Sequence, residues 1–371
     1  MTDQTSQAGA DTAPLQGEDR GEPPKIEFSA SNGFGSRLAR LGVSLAFTSY
    51  QSGGLYLLGH NPDGTTNVHQ ARMPRPMGLC WAGDGALVMS AGTEILTLCN
   101  VLEPHERAND RFDTCFVVRR SQVTGSLDVH DIGLLADQRP VFVNTRFNCL
   151  ATTHASHSFE PLWRPPFITD LVDEDRCHLN GLAMKNGHPA YVTAVSRSNT
   201  IDGWRDRRAD GGIVIAVETG DIVCDGLSMP HSPRLHNGEL WIANSGTGEL
   251  GWIDPDAGVF EPVCFCPGFV RGLSMIGDHA FIGLSKPRYK RFEGLDLDRR
   301  LTEADSEPWC GVQIIDLTSG TCVDWFRIDG AVAELYDVAV LPGIGLPMAI
   351  APGTPDAASL ITYRGRTPKP G

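Results

Sequence analysis

Short apolar runs separated by turn-forming residues dominate the chain from about residue 45 onward. Residues 45–50 and 55–58 are rich in β-forming side chains, and the segment 51–54 between them supplies Ser and Gly. Two such runs joined by a short Gly-containing segment predict an antiparallel hairpin. Similar pairs of runs follow at 87–91 with 95–98, 141–144 with 149–152, 190–193 with 213–217, 240–244 with 250–253, 280–283 with 312–315, and 347–351 with 360–363.

Seven hairpins at intervals of about 40 to 60 residues have the spacing of propeller blades. The pattern therefore predicts an all-β fold, a β-propeller of seven blades. Six blades is the alternative, in which the first hairpin belongs to the closing blade. A strand at 25–31 would give the first hairpin its inner strand, or would add an outer strand to the last blade; residues 36–41 predict a brief helical turn.

Most of the hairpins follow a short segment that often contains a Gly-Leu pair. We interpret this segment as the innermost strand of its blade. A glycine is expected there because neighbouring inner strands crowd around the channel and leave little room for a Cβ atom. The six segments are 77–81, 131–134, 180–183, 231–234, 271–274 and 337–340.

Two insertions interrupt the repeat, at 197–210 and at 286–309. The first contains Trp204 and several arginines, and the second alternates acidic and basic residues. Segments of this length without a strand pattern are usually functional or disordered. We expect both to overhang one mouth of the channel.

The amino-acid composition narrows the expected binding partners and cellular location of the protein. The net charge of -14 repels a phosphate backbone, and no apolar run reaches the roughly 18 to 20 residues that span a bilayer, so neither nucleic acid nor a membrane is expected. Residues 1–24 are polar with no apolar core, which predicts a disordered tail before a single propeller domain at 25–371. The expected location is the cytoplasm, with the ten cysteines reduced. The sequence does not indicate an oligomeric state.

Three histidines, His130, His178 and His231, lie at the start of inner strands in three consecutive predicted blades. Imidazoles that converge on one axis suit a first-row metal, and three protein ligands with an open position form a catalytic site. The pattern predicts a divalent transition metal, Fe, Cu, Zn or Mn, acting as a Lewis acid or redox centre. In the alternative interpretation, each histidine donates to a neighbouring carbonyl and only satisfies the crowded inner ring.

Other candidates are polar or aromatic residues near the starts of inner strands or in the first insertion. A buried carboxylate or amide would assist proton transfer or bind the metal, and an arginine would clamp a substrate carboxylate with its planar guanidinium. The predicted catalytic residues are Asp337, Asn180 and Arg271, and the predicted substrate-binding residues are Arg234, Arg271, Tyr336 and Trp204.

The chain has no Gly-x-Ser-x-Gly, P-loop or His-Glu-x-x-His motif, and no Gly-x-Gly-x-x-Gly between a strand and a helix. The favoured function is a metal-dependent propeller enzyme that acts on an anionic small molecule or peptide, with lyase, hydrolase and oxygenase chemistry left open. One alternative is a non-catalytic propeller that binds a partner protein. Another is an enzyme without a metal, in which histidines act as acid and base.

Several phrases carry a family resemblance: Cys-His-Leu-Asn-Gly-Leu-Ala-Met at 177–184, Gly-Leu-Ser-Met-Pro-His-Ser-Pro-Arg at 226–234, and Pro-Gly-Phe-Val-Arg-Gly-Leu at 267–273. They resemble a bacterial family of conserved hypothetical β-propeller proteins, which implies a fold but no activity. The blade pattern is more remotely similar to the gluconolactonase and strictosidine synthase group, whose sites lie in the axial channel. Gluconolactonases bind a divalent ion through glutamate, asparagine and aspartate. Because the inner strands of this chain carry histidines instead, that ligand set is not carried over.

Overall fold

The computed structural model describes residues 25–287 and 292–363, which form six mainly antiparallel sheets arranged as the blades of a β-propeller. The predicted tail at 1–24 lies outside the described residues. Helices are few and short, and no helix in the described part of the chain is long and apolar enough to cross a bilayer. They are the α-helices Phe34–Leu41, Leu297–Glu303 and Pro355–Ser359, and the 3₁₀ turn Arg205–Arg207.

Each blade has four antiparallel strands that follow one another from the axis outward. Blade 1 consists of Val338–Pro342, Val43–Ser49, Gly54–His60 and Thr66–Arg72; blade 2 of Pro76–Gly83, Ala86–Ala91, Glu94–Asn100 and Thr114–Val123; blade 3 of Val129–Leu134, Pro140–Asn144, Cys149–Thr152 and Glu160–Trp163. Blade 4 consists of Leu179–Lys185, His188–Ala194, Gly212–Ala216 and Ile222–Leu227; blade 5 of Pro230–His236, Glu239–Asn244, Glu249–Asp254 and Val259–Phe265; blade 6 of Phe269–Ile276, His279–Ser285, Cys310–Asp316 and Thr321–Asp329.

The expectation of seven blades was wrong, and the six-blade alternative is confirmed. The hairpin predicted at 347–363 does not form, because Pro347–Ala349 pairs in parallel with Thr114–Val123 at the outer edge of blade 2. The inner strand Val338–Pro342 pairs instead with Val43–Ser49. One blade therefore joins a strand from late in the chain to three strands from its beginning, and this pairing closes the ring.

A second pairing between distant parts of the chain adds an edge strand to blade 6. Glu27–Ala30 pairs with Thr321–Asp329, with Phe28 opposite Ile328. Of the two alternatives for this segment, the outer strand is confirmed, and the inner strand of the first hairpin is wrong because Val338–Pro342 takes that place. The helix Phe34–Leu41, also expected, follows directly and buries Phe34 and Leu38 in the core between blades 1 and 6.

Glycines on the inner strands lie where the backbones of adjacent blades come close. A Cβ atom on Gly181 in blade 4 would lie 2.4 Å from the Pro233 side chain of blade 5. One on Gly272 in blade 6 would lie 2.7 Å from the backbone nitrogen of Val338 in blade 1. The predicted reason for these glycines, crowding around the channel, is confirmed.

In five blades, a side-chain hydroxyl near the end of the second strand donates a hydrogen bond to the backbone at the start of a later inner strand. In every case the hydroxyl donates to a backbone carbonyl that lies in or just before the next inner strand, so these bonds fix where the inner strands begin. The donor-to-acceptor pairs are Thr48 to Met77 at 2.5 Å, Ser90 to Val129 at 3.2 Å, Thr145 to Leu179 at 2.7 Å, Ser245 to Val270 at 2.6 Å, and Ser285 to Leu335 at 3.0 Å.

Candidate active site

A cavity of about 1010 Å³ lies at the end of the channel where the inner strands begin. It is lined by the residues immediately before the inner strands of four consecutive blades, Arg75, Asp128, His178 and Met229. All four have a positive φ, of 43°, 54°, 52° and 46° respectively. Left-handed backbone is unfavourable for residues other than glycine and concentrates at functional sites. The repeat of this conformation in four blades makes it a regular feature of the cavity rim.

His130 is the second residue of the inner strand of blade 3, and its surroundings determine its tautomer. Nδ1 lies 2.9 Å from the carbonyl of Asp128 and 2.8 Å from the hydroxyl of Thr145. Because that hydroxyl donates its hydrogen to the carbonyl of Leu179, both neighbours of Nδ1 act as acceptors. Nδ1 therefore carries the hydrogen and Nε2 has a free lone pair. Burial lowers the pKa of His130 to about 4, so the ring is neutral at physiological pH.

His231 holds the equivalent position in blade 5 and shows the same arrangement. Its Nδ1 lies 3.0 Å from the hydroxyl of Ser245, which donates its own hydrogen to the backbone of blade 6. The Nε2 atom accepts from the guanidinium of Arg271 at 3.0 Å and lies 3.3 Å from the side-chain amide nitrogen of Asn180. Burial, together with the nearby Arg271, holds the pKa of His231 well below its usual range.

His178 is oriented by a carboxylate. Its Nδ1 lies 2.6 Å from one oxygen of Asp175, and its backbone nitrogen donates to the other oxygen at 3.0 Å. The indole of Trp204 stacks on the ring with centroids 4.1 Å apart. A carboxylate at Nδ1 fixes the tautomer and leaves Nε2 as a base.

The three predicted histidines do converge. Ring centroids of His130 and His178 are 4.8 Å apart, and those of His130 and His231 are 6.5 Å apart. They do not hold one equivalent position, however, since Asn180 is the second residue of the inner strand in blade 4 and His178 precedes that strand.

These surroundings do not fit the predicted set of three metal ligands. A metal held by all three rings needs the Nε2 of His231, which the cationic guanidinium of Arg271 already contacts. In residues 25–287 and 292–363, no group of three or more His, Cys, Asp or Glu side chains is arranged to hold a metal ion. The transition-metal site with His130, His178 and His231 as ligands stays a prediction.

Arg271 and Tyr336 lie together on the cavity wall. The Arg271 guanidinium lies over the Tyr336 ring at 4.5 Å and near the Phe269 ring at 5.6 Å, and Nη1 is 3.5 Å from the Glu334 carboxylate. Arg271, Tyr336 and Trp204 all line the cavity, where their predicted roles require them to be. These packed aromatic faces hold the guanidinium rigidly.

Three buried donors at this cavity have no hydrogen-bond acceptor among the described residues. They are the Nε of Arg271, the hydroxyl of Tyr336 and the Nε1 of Trp204. Buried polar groups are nearly always hydrogen-bonded, so three exceptions on residues that line one cavity need an explanation. A ligand or ordered water that accepts hydrogen bonds from them supplies it.

The two insertions meet over the cavity, as expected. Trp204 and Arg208 line it from the first insertion, and Phe292 and Leu295 line it from the second. The Arg208 guanidinium reaches the backbone carbonyl of Glu293 at 3.5 Å. Residues 288–291 of the second insertion lie outside the described part of the chain.

Asp337 and Arg234 are not among the residues that line the cavity. Arg234 pairs with Asp131 at 2.8 Å and lies 3.6 Å from Asp337. Asp337 accepts from the backbone of Leu79 at 2.8 Å, and Asp131 accepts from that of Leu182 at 3.0 Å. These contacts favour a structural role between blades, and the predicted roles of Asp337 in catalysis and of Arg234 in substrate binding stay predictions.

Most of the chain matches one family of protein sequences. The family described as "Domain of unknown function (DUF4915)" matches residues 32–350, which include all four strands of every blade. The chain belongs to the DUF4915 family. None of the curated proteins matches it. Membership agrees with the resemblance to hypothetical propeller proteins, while the remote similarity to gluconolactonases stays a prediction.

Solved structures are similar to this chain at low sequence identity. A chain of the nidogen/laminin complex is 12% identical with a TM-score of 0.50, over 82% of this chain and 100% of that one. A protein of unknown function from Bacteroides caccae is 10% identical with a TM-score of 0.46, over 81% and 99%. A streptogramin B lyase is 15% identical with a TM-score of 0.41, over 66% and 73%. At 12% identity, the likeness to the chain of the nidogen/laminin complex extends to the fold alone.

Sequence reasoning missed several residues of this DUF4915 site. Asp175 was overlooked although it lies three residues before His178, a spacing that a turn brings into contact. Thr145 and Ser245 occupy the same place after the second strands of blades 3 and 5, and an alignment of the blades would have paired them with His130 and His231. The positive φ of Asp128 had no signal in the sequence.

Proposed function

We propose that the axial cavity is the active site of an enzyme that carries out general-base chemistry on an anionic small molecule. The observation that carries this proposal is the Asp175–His178 pair, which opens onto the same cavity as the buried guanidinium of Arg271. A base oriented by a carboxylate can remove a proton, and a fixed cation in the same cavity can bind an anionic group of the substrate and so hold the substrate near that base.

His178 is the base in this proposal. Its Nδ1 donates to Asp175, so its Nε2 takes the proton from water or from an acidic carbon of the substrate. Asp175 then stabilises the imidazolium that forms. Hydrolysis and elimination both begin with such a step.

Arg271 binds the anionic group of the substrate. Its guanidinium lies 4.5 Å from the centroid of the Tyr336 ring and 5.6 Å from that of Phe269, and these contacts limit its movement. A preoriented guanidinium spends little free energy on reorganisation when it meets a carboxylate or an oxyanion.

His130 assists by staying neutral. Its ring centroid is 4.8 Å from that of His178, and burial lowers the pKa of His130 to about 4. A neutral His130 adds no positive charge next to His178.

The metal-dependent enzyme remains the second candidate, because the Nε2 of His130 has a free lone pair close to His178. It requires Arg271 to leave the Nε2 of His231. Elemental analysis of protein purified without a polyhistidine tag separates the two candidates. Stoichiometric metal that is lost in a variant with both His178 and His231 replaced would favour the metal site.

The test of the base uses two probes with a carboxylate and a nitrophenol leaving group, namely mono(nitrophenyl) adipate for hydrolysis, whose own carboxylate attacks its ester only slowly, and a β-nitrophenoxy ketone with a carboxylate tail for elimination. We expect wild type to release nitrophenol from at least one of them. His178→Gln should lower kcat/KM by about 100-fold or more, the usual contribution of a general base, and Asp175→Asn should lower it by less. The control His188→Gln changes an exposed histidine of blade 4. Equal rates for wild type and His178→Gln would refute the assignment.

A further inference from the structure

The donors that lack acceptors give information on the substrate class of the proposed active site. Tyr336, Trp204 and Arg271 are 3%, 7% and 8% exposed, and each has one donor atom without a partner among the described residues. All three unpaired atoms can donate, and the Nε of Arg271 and the Nε1 of Trp204 can do nothing else. The group that completes the site must therefore bring acceptors.

The three donors form two separate groups along the cavity wall. Arg271 lies over the Tyr336 ring at 4.5 Å, so these two act together. A series of ring contacts leads from Tyr336 to Trp204. The ring centroids of Tyr336 and His130 are 5.5 Å apart, those of His130 and His178 are 4.8 Å apart, and those of His178 and Trp204 are 4.1 Å apart. In this series of ring contacts, His130 and His178 come between Trp204 and the Arg271–Tyr336 pair.

The two groups differ in the acceptor that they suit. A guanidinium together with the hydroxyl of the tyrosine on which it stacks suits the two oxygens of a carboxylate. An indole N–H is a single neutral donor and suits a carbonyl oxygen. Burial raises the pKa of Tyr336 well above its usual value, so its hydroxyl keeps its hydrogen.

We infer that the substrate carries a carboxylate, bound by Arg271 and Tyr336, and a separate neutral carbonyl oxygen, bound by the indole of Trp204. This inference rests on the proposed function, because it places the reacting group between the two anchors, next to His178. N-acylated amino acids and acids with a remote ester, lactone or ketone belong to this class.

The charge around Arg271 favours a carboxylate over a phosphate. Glu334 lies 3.5 Å from the guanidinium, and the carboxylates of Asp128 and Asp175 line the same cavity. The whole cavity is lined by five acidic and five basic side chains, so a doubly charged phosphate would leave two excess negative charges there and a single carboxylate only one.

The test measures binding by calorimetry with three probes that differ by one group each. N-acetylphenylalanine has both the carboxylate and the carbonyl, phenylpropionate lacks the acetamido carbonyl, and N-acetylphenylalaninamide lacks the carboxylate. We expect N-acetylphenylalanine to bind most tightly, with a loss of about tenfold when either group is missing. Absence of saturable binding of N-acetylphenylalanine at millimolar concentration would overturn the inference.

Two variants assign the groups to their donors. Trp204→Phe removes the indole N–H, and should weaken N-acetylphenylalanine several-fold while leaving phenylpropionate unchanged. Tyr336→Phe removes only a hydroxyl, and should weaken both acids alike. Thermal melts confirm that each variant is folded. An equal effect of Trp204→Phe on both acids would contradict the placement of the carbonyl.

Binding and turnover separate this inference from the proposed function. If His178→Gln abolishes release of nitrophenol but the acids show none of the expected differences, the substrate class is wrong and the base assignment stands. If the acids bind as expected but turnover does not depend on His178, the ligand class stands and the proposed chemistry is wrong.

Discussion

Two hydroxyl side chains decide which nitrogen carries the hydrogen on the buried histidines. Thr145 and Ser245 each donate to a backbone carbonyl and so accept from Nδ1 of His130 and His231. The sequence placed these histidines at the start of inner strands, but it could not reveal their tautomers. A tautomer depends on the direction in which a neighbouring hydroxyl donates, and in this fold an adjacent blade sets that direction.

We predict that His130 keeps its hydrogen on Nδ1 and stays neutral until the pH approaches 4, because burial lowers its pKa to about 4. Nitrogen NMR of the histidine rings checks this directly. Thr145→Val should shift the His130 signals because it removes one acceptor. Thr152→Val should not, since the hydroxyl of Thr152 donates to Pro140. A hydrogen on Nε2 of His130 would contradict the proposed orientation.

At the scale of strands, the sequence predicted the hairpin of all six blades and each of the six inner strands. It failed at 347–363, where two short apolar runs look like a hairpin. Alternation of apolar and polar residues identifies a strand but not its partner. Pro347–Ala349 pairs instead with the outer strand of blade 2. The two segments are far apart in the sequence and come together only when the ring closes.

The backbone of the cavity rim was also beyond prediction. Arg75, Asp128, His178 and Met229 take left-handed conformations although none is glycine. The chain is forced into them where it turns from an outer strand into the next inner strand, a constraint that arises from the ring. A register estimated from sequence alone therefore misplaced His178 relative to His130.

Blade packing predicts different costs for two similar glycines. A Cβ on Gly181 would lie 2.3 Å from the Thr193 hydroxyl and 2.4 Å from Pro233, whereas one on Gly133 would first meet the flexible Met184 side chain at 2.7 Å. We expect Gly181→Ala to lower the free energy of unfolding by about 1 to 3 kcal/mol, and Gly133→Ala to lower it by clearly less. Urea denaturation measures both. Equal losses would mean that blade crowding does not explain these glycines.

Across the whole ring, alternate blades supply the charged side chains near the axis. Asp337 of blade 1 bonds to Leu79 of blade 2, and Asp131 of blade 3 bonds to Leu182 of blade 4. Arg234 of blade 5 donates to the carbonyl of blade 6 at Leu273 and pairs with Asp131. One guanidinium close to two carboxylates leaves an excess negative charge in a buried place.

Because of that excess charge, the free energy of unfolding depends on pH. Burial and the nearby Asp131 raise the pKa of Asp337 to about 7, with Arg234 acting in the opposite direction. The native state therefore holds this proton more tightly than the unfolded chain does, and the stabilisation is lost as the pH rises toward 7. His130 has the opposite effect, because its pKa is lowered from 6.5 to about 4, so its protonation opposes folding as the pH falls.

Between pH 6.5 and 4, acidification increases the stability contributed by Asp337 and decreases that contributed by His130, so the two partly cancel. Asp337→Asn should remove the first contribution and leave the second. We expect the variant to lose stability on acidification more steeply than wild type, by an additional amount on the order of 1 kcal/mol or more across this range. Urea denaturation at several pH values measures the slope, and Asp256→Asn, at an exposed aspartate, is the control. A variant whose slope matches that of wild type would show that Asp337 is ionised over this whole pH range. Another positively charged group would then have to balance the excess negative charge near the axis.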